Sequence, residues 1–111
     1  MKLSLGEFEE IVLLTVGVLY NEAYGVAIKD EIEQRLKRKV SVGALQSALH
    51  RMEKKGFLES RTGDPDNQRG GKPKRFFTIT ALGKQALEES KDVRLELWNS
   101  IPKVAFEMKM I

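Results

Sequence analysis

No cysteine occurs among the 111 residues, so neither a disulfide framework nor a thiolate metal site can form. The absence fits a reducing cytoplasm. A single histidine and acids dispersed along the chain provide no Ser/His/Asp set and no paired carboxylates, so the expectation is a protein that is not an enzyme and needs no metal or cofactor. The longest apolar run, Ile11 to Tyr20, is broken by Thr15 and Gly17 and falls well short of the ~20 residues a membrane span requires. The first residues show no basic stretch leading into an apolar segment and a small-residue cleavage site. The expected location is the cytoplasm, with no membrane partner.

Two segments come near ligand-binding motifs and fail them. Gly70-Gly71-Lys72-Pro73 lacks the spacing of a phosphate loop and has Pro73 where the Mg²⁺-binding hydroxyl should stand. Asp64 and Asp66 open a possible calcium loop, but Arg69 takes its turn-glycine position and Arg75 its closing-glutamate position.

What is present begins with an uneven charge. The net charge of +3 conceals a basic middle third. Residues 1–34 carry two lysines against seven acids, a net of −5. Residues 35–75 carry twelve Lys/Arg against four acids, a net of +8, and residues 76–111 balance five against five. Such a block is the footprint of a polyanionic partner, or else of a merely solvated basic face. The length suits a single domain, and one of this size buries roughly two thirds of the surface its unfolded chain exposes, so an oligomer interface would add useful burial.

Ser4 with Glu7 forms an S-x-x-E capping pattern and predicts a helix start. Phe8, Ile11, Val12, Thr15, Val18 and Leu19 follow at helical spacing, and Leu13, Leu14 and Val16 make the other side apolar too. A helix apolar nearly all round must be covered on both sides, and the expected cover is a second subunit. After a break at 21–25, Ile28, Ile32 and Leu36 mark an amphipathic second helix ending in Lys37, Arg38 and Lys39, cations suited to a helix C-terminus. Ser41 can cap a third helix with an inner face of Leu45, Ala48, Leu49 and Met52, stopped by Gly56. Its outer face is then Gly43, Gln46, Ser47, His50 and Lys54. Two β-type runs, 57–62 and 75–79, flank a turn-rich segment and predict a hairpin with a long tip. Thr80 can cap a last helix carrying Leu82, Ala86, Leu87, Val93, Leu95, Leu97, Trp98 and Ile101, which Pro102 should kink or end.

Three helices, a hairpin and a further helix, with the basic block on the second helix's end, the third helix and the hairpin, make a mainly α fold with a small β wing: a winged helix-turn-helix over 1–79 and a C-terminal dimerisation helix over 80–111. The third helix is slim enough outside to enter a major groove of double-stranded DNA. There Gln46 could pair with adenine and Ser47 or His50 could reach neighbouring base edges, while Ser41, Gly43 and Lys54 lie beside them. Arg69, Lys72, Lys74 and Arg75 on the wing would follow phosphates or a minor groove. A lone histidine such as His50 is most often only solvated. Other readings of the same features are a winged-helix module that binds an acidic protein partner and a non-specific nucleic-acid binder.

The chain also resembles the PadR-like family of transcriptional regulators. The resemblance is carried by Leu5-Gly6-Glu7-Phe8, by Tyr24-Gly25-Val26-Ala27-Ile28, by the run from Gly43-Ala44-Leu45-Gln46 to Glu53-Lys54-Lys55-Gly56, and by Arg75-Phe76-Phe77-Thr78-Ile79-Thr80-Ala81-Leu82-Gly83. It implies a homodimer in which the C-terminal helix packs on the first helix of its mate, with Phe8, Leu14, Leu87, Val93, Leu97 and Trp98 as the interface candidates. It implies a repressor, and for some members a small aromatic effector bound between subunits, for which Trp98 is the candidate contact. The recognition helix departs from the family pattern: Gln46-Ser47 stands where Tyr-Pro is frequent, which bears on the operator sequence rather than on the fold.

Overall fold

The computed structural model describes residues 5–63 and 73–107. Helix α1 spans Glu7–Leu19 and leads through a short 3₁₀ turn, Tyr20–Glu22, to α2, Gly25–Leu36. Then come α3, Val42–Lys54, strands β1, Leu58–Thr62, and β2, Arg75–Ile79, the long α4, Ala81–Ser100, and the short α5, Lys103–Glu107. The architecture is the expected winged helix-turn-helix.

The start of α1 differs from the predicted one. Gly6 is the N-cap, and its N–H donates to the Glu9 carboxylate at 2.9 Å, so the capping carboxylate comes from Glu9 rather than Glu7. Ser4 lies outside the described residues. The reason for the shift is tertiary: Glu9 is buried and gripped from α3, which fixes the register of the first turn.

The faces of α1 are also rearranged relative to the periodicity. Val12, Leu13 and Val16 are buried, whereas Val18 is exposed. The helix is wrapped by α2 and α3 and also touches β2 and α4, so the chain itself covers Leu13 and Val16. Of the far side assigned to a second subunit, Leu14 stays half exposed.

In α2, Ile28 and Ile32 are buried and Leu36, at the last turn, is not. Lys37 takes a left-handed conformation after it. The turn into α3 is tied by Glu33, which accepts the Val40 N–H at 2.7 Å and also pairs with Lys29. Ser41 caps α3 through the Ala44 N–H, and Leu45, Ala48, Leu49 and Met52 face the core as the spacing predicts. Gly56 has φ 83°, a left-handed conformation that costs a residue with a Cβ about 1 kcal/mol or more, and the helix stops there.

The strands pair antiparallel from Leu58 opposite Ile79 to Thr62 opposite Arg75. Residues before α2 extend this ribbon, since the Phe77 N–H donates to Ala23 O at 2.8 Å and Tyr24 bridges to Phe76. Thr80 caps α4 through the Gly83 N–H at 3.0 Å. Only the first part of α4 is packed: Gly83 and Ala86 are buried and Leu87 partly so, but every residue from 91 to 107 is exposed. Pro102 ends α4 as expected, and the chain resumes as α5. No helix among the described residues is long and apolar enough to cross a membrane.

Candidate nucleic-acid interface

A helix that reads DNA must be held from behind and left bare in front. The core residues of α3 supply part of that hold, and Glu9 supplies the rest. Its buried carboxylate accepts from Arg51 Nε at 3.0 Å and from Lys55 Nζ at 3.0 and 3.3 Å. Burial alone would push this carboxyl up, but the hydrogen bonds from Gly6 N–H, Lys55 and Arg51 outweigh it and hold Glu9 below its ordinary value. Arg51 on α3 and Lys55 at its C-cap are therefore paired with α1, although both side chains keep exposed surface.

This arrangement fixes a pH dependence. A carboxyl depressed in the folded state stabilises fully above its unfolded value, near 4.5, and loses that contribution as pH falls through its lower folded value. Glu33, held down by the Val40 N–H, and Glu53, held down by the Ser60 hydroxyl, act in the same direction. In urea titrations Glu9→Gln is expected to be less stable than the parent at pH 7, with the gap closing toward pH 3. A gap of constant size would show that the ionised carboxylate contributes nothing.

The front of α3 is bare. Gly43, Gln46, Ser47, His50 and Lys54 are all exposed, at the spacing of one helical face. Ser41 is exposed at its head but its hydroxyl is engaged as the cap. Gln46 lines a cleft of about 310 Å³ with Tyr24, Gly25, Lys29, Val42 and Lys74, between α2, α3 and β2. Gly25 lies against it: a Cβ there would meet Gln46 Nε2 at 3.4 Å, an ordinary van der Waals contact.

The wing root carries its cations on aromatic rings. Lys74 Nζ lies 4.2 Å from the Tyr24 ring centre, and the Arg61 guanidinium lies 4.7 Å from that of Phe76. The two rings meet edge to face at 5.6 Å. Cation–π contact steadies a long side chain without neutralising its charge, so both cations can still face a phosphate. Arg61 and the Tyr24 platform escaped the sequence reading. The cross-strand register that sets Arg61 opposite Phe76 was the only available signal for Arg61, and nothing local joins Tyr24 to Lys74. Arg75 is placed differently from Lys74, in an ion pair with Glu53. Arg69 and Lys72 lie outside the described residues.

A second surface lies between α1 and α4. Glu10 fastens the two helices, accepting from the Ser90 hydroxyl at 2.6 Å and from Arg94 Nη2 at 2.8 Å. Beside this tie runs a groove of about 550 Å³ whose apolar lining is Leu14, Leu87, Leu95 and Trp98. Trp98 is 63% exposed and stacks at a tilt on Phe106 of α5, 5.5 Å away. Of the interface candidates, Leu14, Leu87 and Trp98 share the groove, while Val93 and Leu97 are exposed on α4 outside its lining. Phe8 does not join them. It packs against the core and lines the cleft at the α2–α3 turn with Arg38, Lys39 and Ser41, because residue 8 lies on the α1 face turned toward that connection. Val104 and Phe106, exposed past Pro102, were missed as apolar surface because the proline reads as an end. Among the described residues no group of three or more His, Asp or Glu side chains is placed to hold a metal ion.

Comparison with known proteins agrees with this geometry. The sequence profile described as "Transcriptional regulator PadR-like family" matches residues 13–89. Among solved structures, a PadR-like transcription factor from Bacteroides fragilis superposes with a TM-score of 0.70 at 23% identity, covering 84% of each chain. A PadR family transcriptional regulator from Eggerthella lenta gives 0.66 at 24% identity, over 95% of this chain and 88% of its own. One from Clostridium difficile gives 0.61 at 26% identity, over 80% and 91%. Among curated proteins none matches.

Proposed function

From the premise that the chain belongs to the PadR-like family of transcriptional regulators, we propose that it is a homodimeric repressor that reads a pseudo-palindromic site in double-stranded DNA. The observation that carries this reading is the division of labour on α3. Arg51 and Lys55 pair with the buried Glu9 of α1, while the polar face of Gln46, Ser47 and His50 is left exposed and unpaired with α1, beside the cations on the wing root. Base edges are read by Gln46, Ser47 and His50, and register is held by phosphate contacts from Lys54, Arg61 and Lys74. Arg69 and Lys72 would extend those contacts along the wing.

The apolar groove along α4 supports the dimer. A helix with Leu95, Leu97 and Trp98 all more than half exposed leaves a patch that monomeric proteins rarely keep in water, and a second copy brings the matching surface. In that dimer the two α3 helices engage half-sites about one DNA turn, ~34 Å, apart. Trp98, at the groove wall, is also the residue to stack on a small aromatic effector. The assignments to the cytoplasm and to a DNA-binding unit over 1–79 with a dimerisation helix over 80–111 belong to the same proposal.

The test is selection from a random duplex pool by the purified protein, followed by salt titration of the enriched sequence. An inverted repeat is expected, with affinity falling about 10³-fold or more between 50 and 200 mM salt if the dimer engages six or more phosphates. A folded dimer that enriches no sequence would sink the repressor reading and favour an acidic protein partner.

A further inference from the structure

Arg75 opens β2, and its charge is already answered from within the chain. Its Nη2 lies 3.1 and 3.2 Å from the two carboxylate oxygens of Glu53, on the last turn of α3. Its Nε donates to Ser60 Oγ at 2.9 Å, and the Ser60 hydroxyl donates to Glu53 Oε2 at 2.6 Å. The three side chains close a triangle that joins the recognition helix to both strands of the wing. The carboxylate offers the guanidinium two oxygens, as a phosphate would. Yet the Arg75 side chain remains 62% exposed, within reach of a polyanion laid across α3 and the wing.

Taking the DNA-binding reading as given, we infer that Glu53 is a specificity-determining residue: an internal counter-ion that withholds Arg75 from DNA phosphates while holding the wing root to α3. A phosphate contact at this position would strengthen binding to every sequence alike, because backbone contacts carry no sequence information. With Arg75 occupied, affinity depends more on the exposed face of α3, and the angle between wing and recognition helix is set before DNA arrives. Lys74, one residue away, plays the opposite part, since its aromatic support leaves the charge unspent. Ser60 is a positioning residue, bonded to both members of the pair.

A simple structural staple and a counter-ion predict different things for Glu53→Gln. The amide keeps the size and a hydrogen-bonding oxygen but frees the Arg75 charge. As a counter-ion, its loss should raise affinity for random duplex and steepen the log K against log salt slope by about 0.9 per protomer, one phosphate each. The ratio of operator to random-duplex affinity should fall. Arg75→Gln alone should leave the wild-type slope unchanged, and Glu53→Gln/Arg75→Gln should return to it. Urea titration of each variant separates these effects from unfolding. An unchanged slope in Glu53→Gln, or a shallower slope in Arg75→Gln alone, would overturn the inference while leaving the DNA-binding reading intact. A wild-type protein that binds no duplex at all would overturn both.

Discussion

Replacing Gly83 by alanine is expected to destabilise the protein by about 3 kcal/mol, the upper part of the range for forcing a methyl into a packed site. The first turn of α4 sits on the link between α3 and β1 so closely that a Cβ at residue 83 would stand 2.3 Å from Phe57 O and 3.1 Å from Phe57 C. Neither atom belongs to a side chain that can rotate away. The Phe57 carbonyl is held by the Thr80 N–H, and the Thr80 hydroxyl both donates to Gly56 O and caps the Gly83 N–H. Relief would require the whole α4 start to lift. The helical preference for alanine over glycine, about 1 kcal/mol, is too small to cancel such a clash. Gly17→Ala is the control. There a Cβ meets only Ile79 Cδ1, at 3.1 Å, the far end of a side chain that can turn, so urea midpoints should stay level or rise slightly. If Gly83→Ala is as stable as the parent, α4 does not start where Thr80 places it.

The elements that declared themselves in the sequence are those fixed by local chemistry. Ser41 and Thr80 cap because a hydroxyl beside a helix start satisfies donors that have no other partner. Gly56 stops α3 because its backbone turns left-handed, and the β-type run 75–79, bounded by turn-forming residues on one side and the Thr80 cap on the other, gives β2 its bounds. The exposed face of α3, Gly43 to Lys54, is likewise a matter of helical spacing. What stayed hidden depends on residues far apart in the chain. Glu9 reads as one more acid in a first turn, and only the fold places it against Arg51 and Lys55, 42 and 46 residues on. The triangle of Glu53, Ser60 and Arg75 is hidden too, because nothing local reveals that Glu53 and Ser60 converge on Arg75. Leu13 and Val16 read as surface for a partner because a helix apolar all round does not say which neighbours come from its own chain.

Adjacent residues of α1 tie two other helices to it. Glu9 holds α3 through Arg51 and Lys55, and Glu10 holds α4 through Ser90 and Arg94. One turn of helix thus fixes the direction in which the exposed part of α4 leaves the domain, relative to the helix proposed to read DNA. In a dimer this direction sets the separation of the two recognition helices, to which binding at fixed half-site spacing is sensitive.

Truncation after Ser90 is therefore expected to yield a folded monomer whose operator affinity is lower by roughly 10² to 10⁴-fold, the gain that linking two binding modules can supply. The cut keeps Gly83, Ala86 and Leu87, the α4 residues that pack on the domain, and it keeps Ser90 bound to Glu10. It removes Val93, Leu95, Leu97 and Trp98, each more than half exposed, along with α5. A cut after Gly83 would also remove buried Ala86 and confuse lost assembly with lost folding. Light scattering gives the mass, circular dichroism the fold, and titration of the selected operator the affinity. If the truncated chain remains dimeric, the interface lies on Leu14 and Val18 of α1 or elsewhere, and the arm of α4 is not what joins the subunits. If it is monomeric but binds the operator undiminished, one protomer is the reading unit, and the inverted repeat should shrink to a single half-site on reselection.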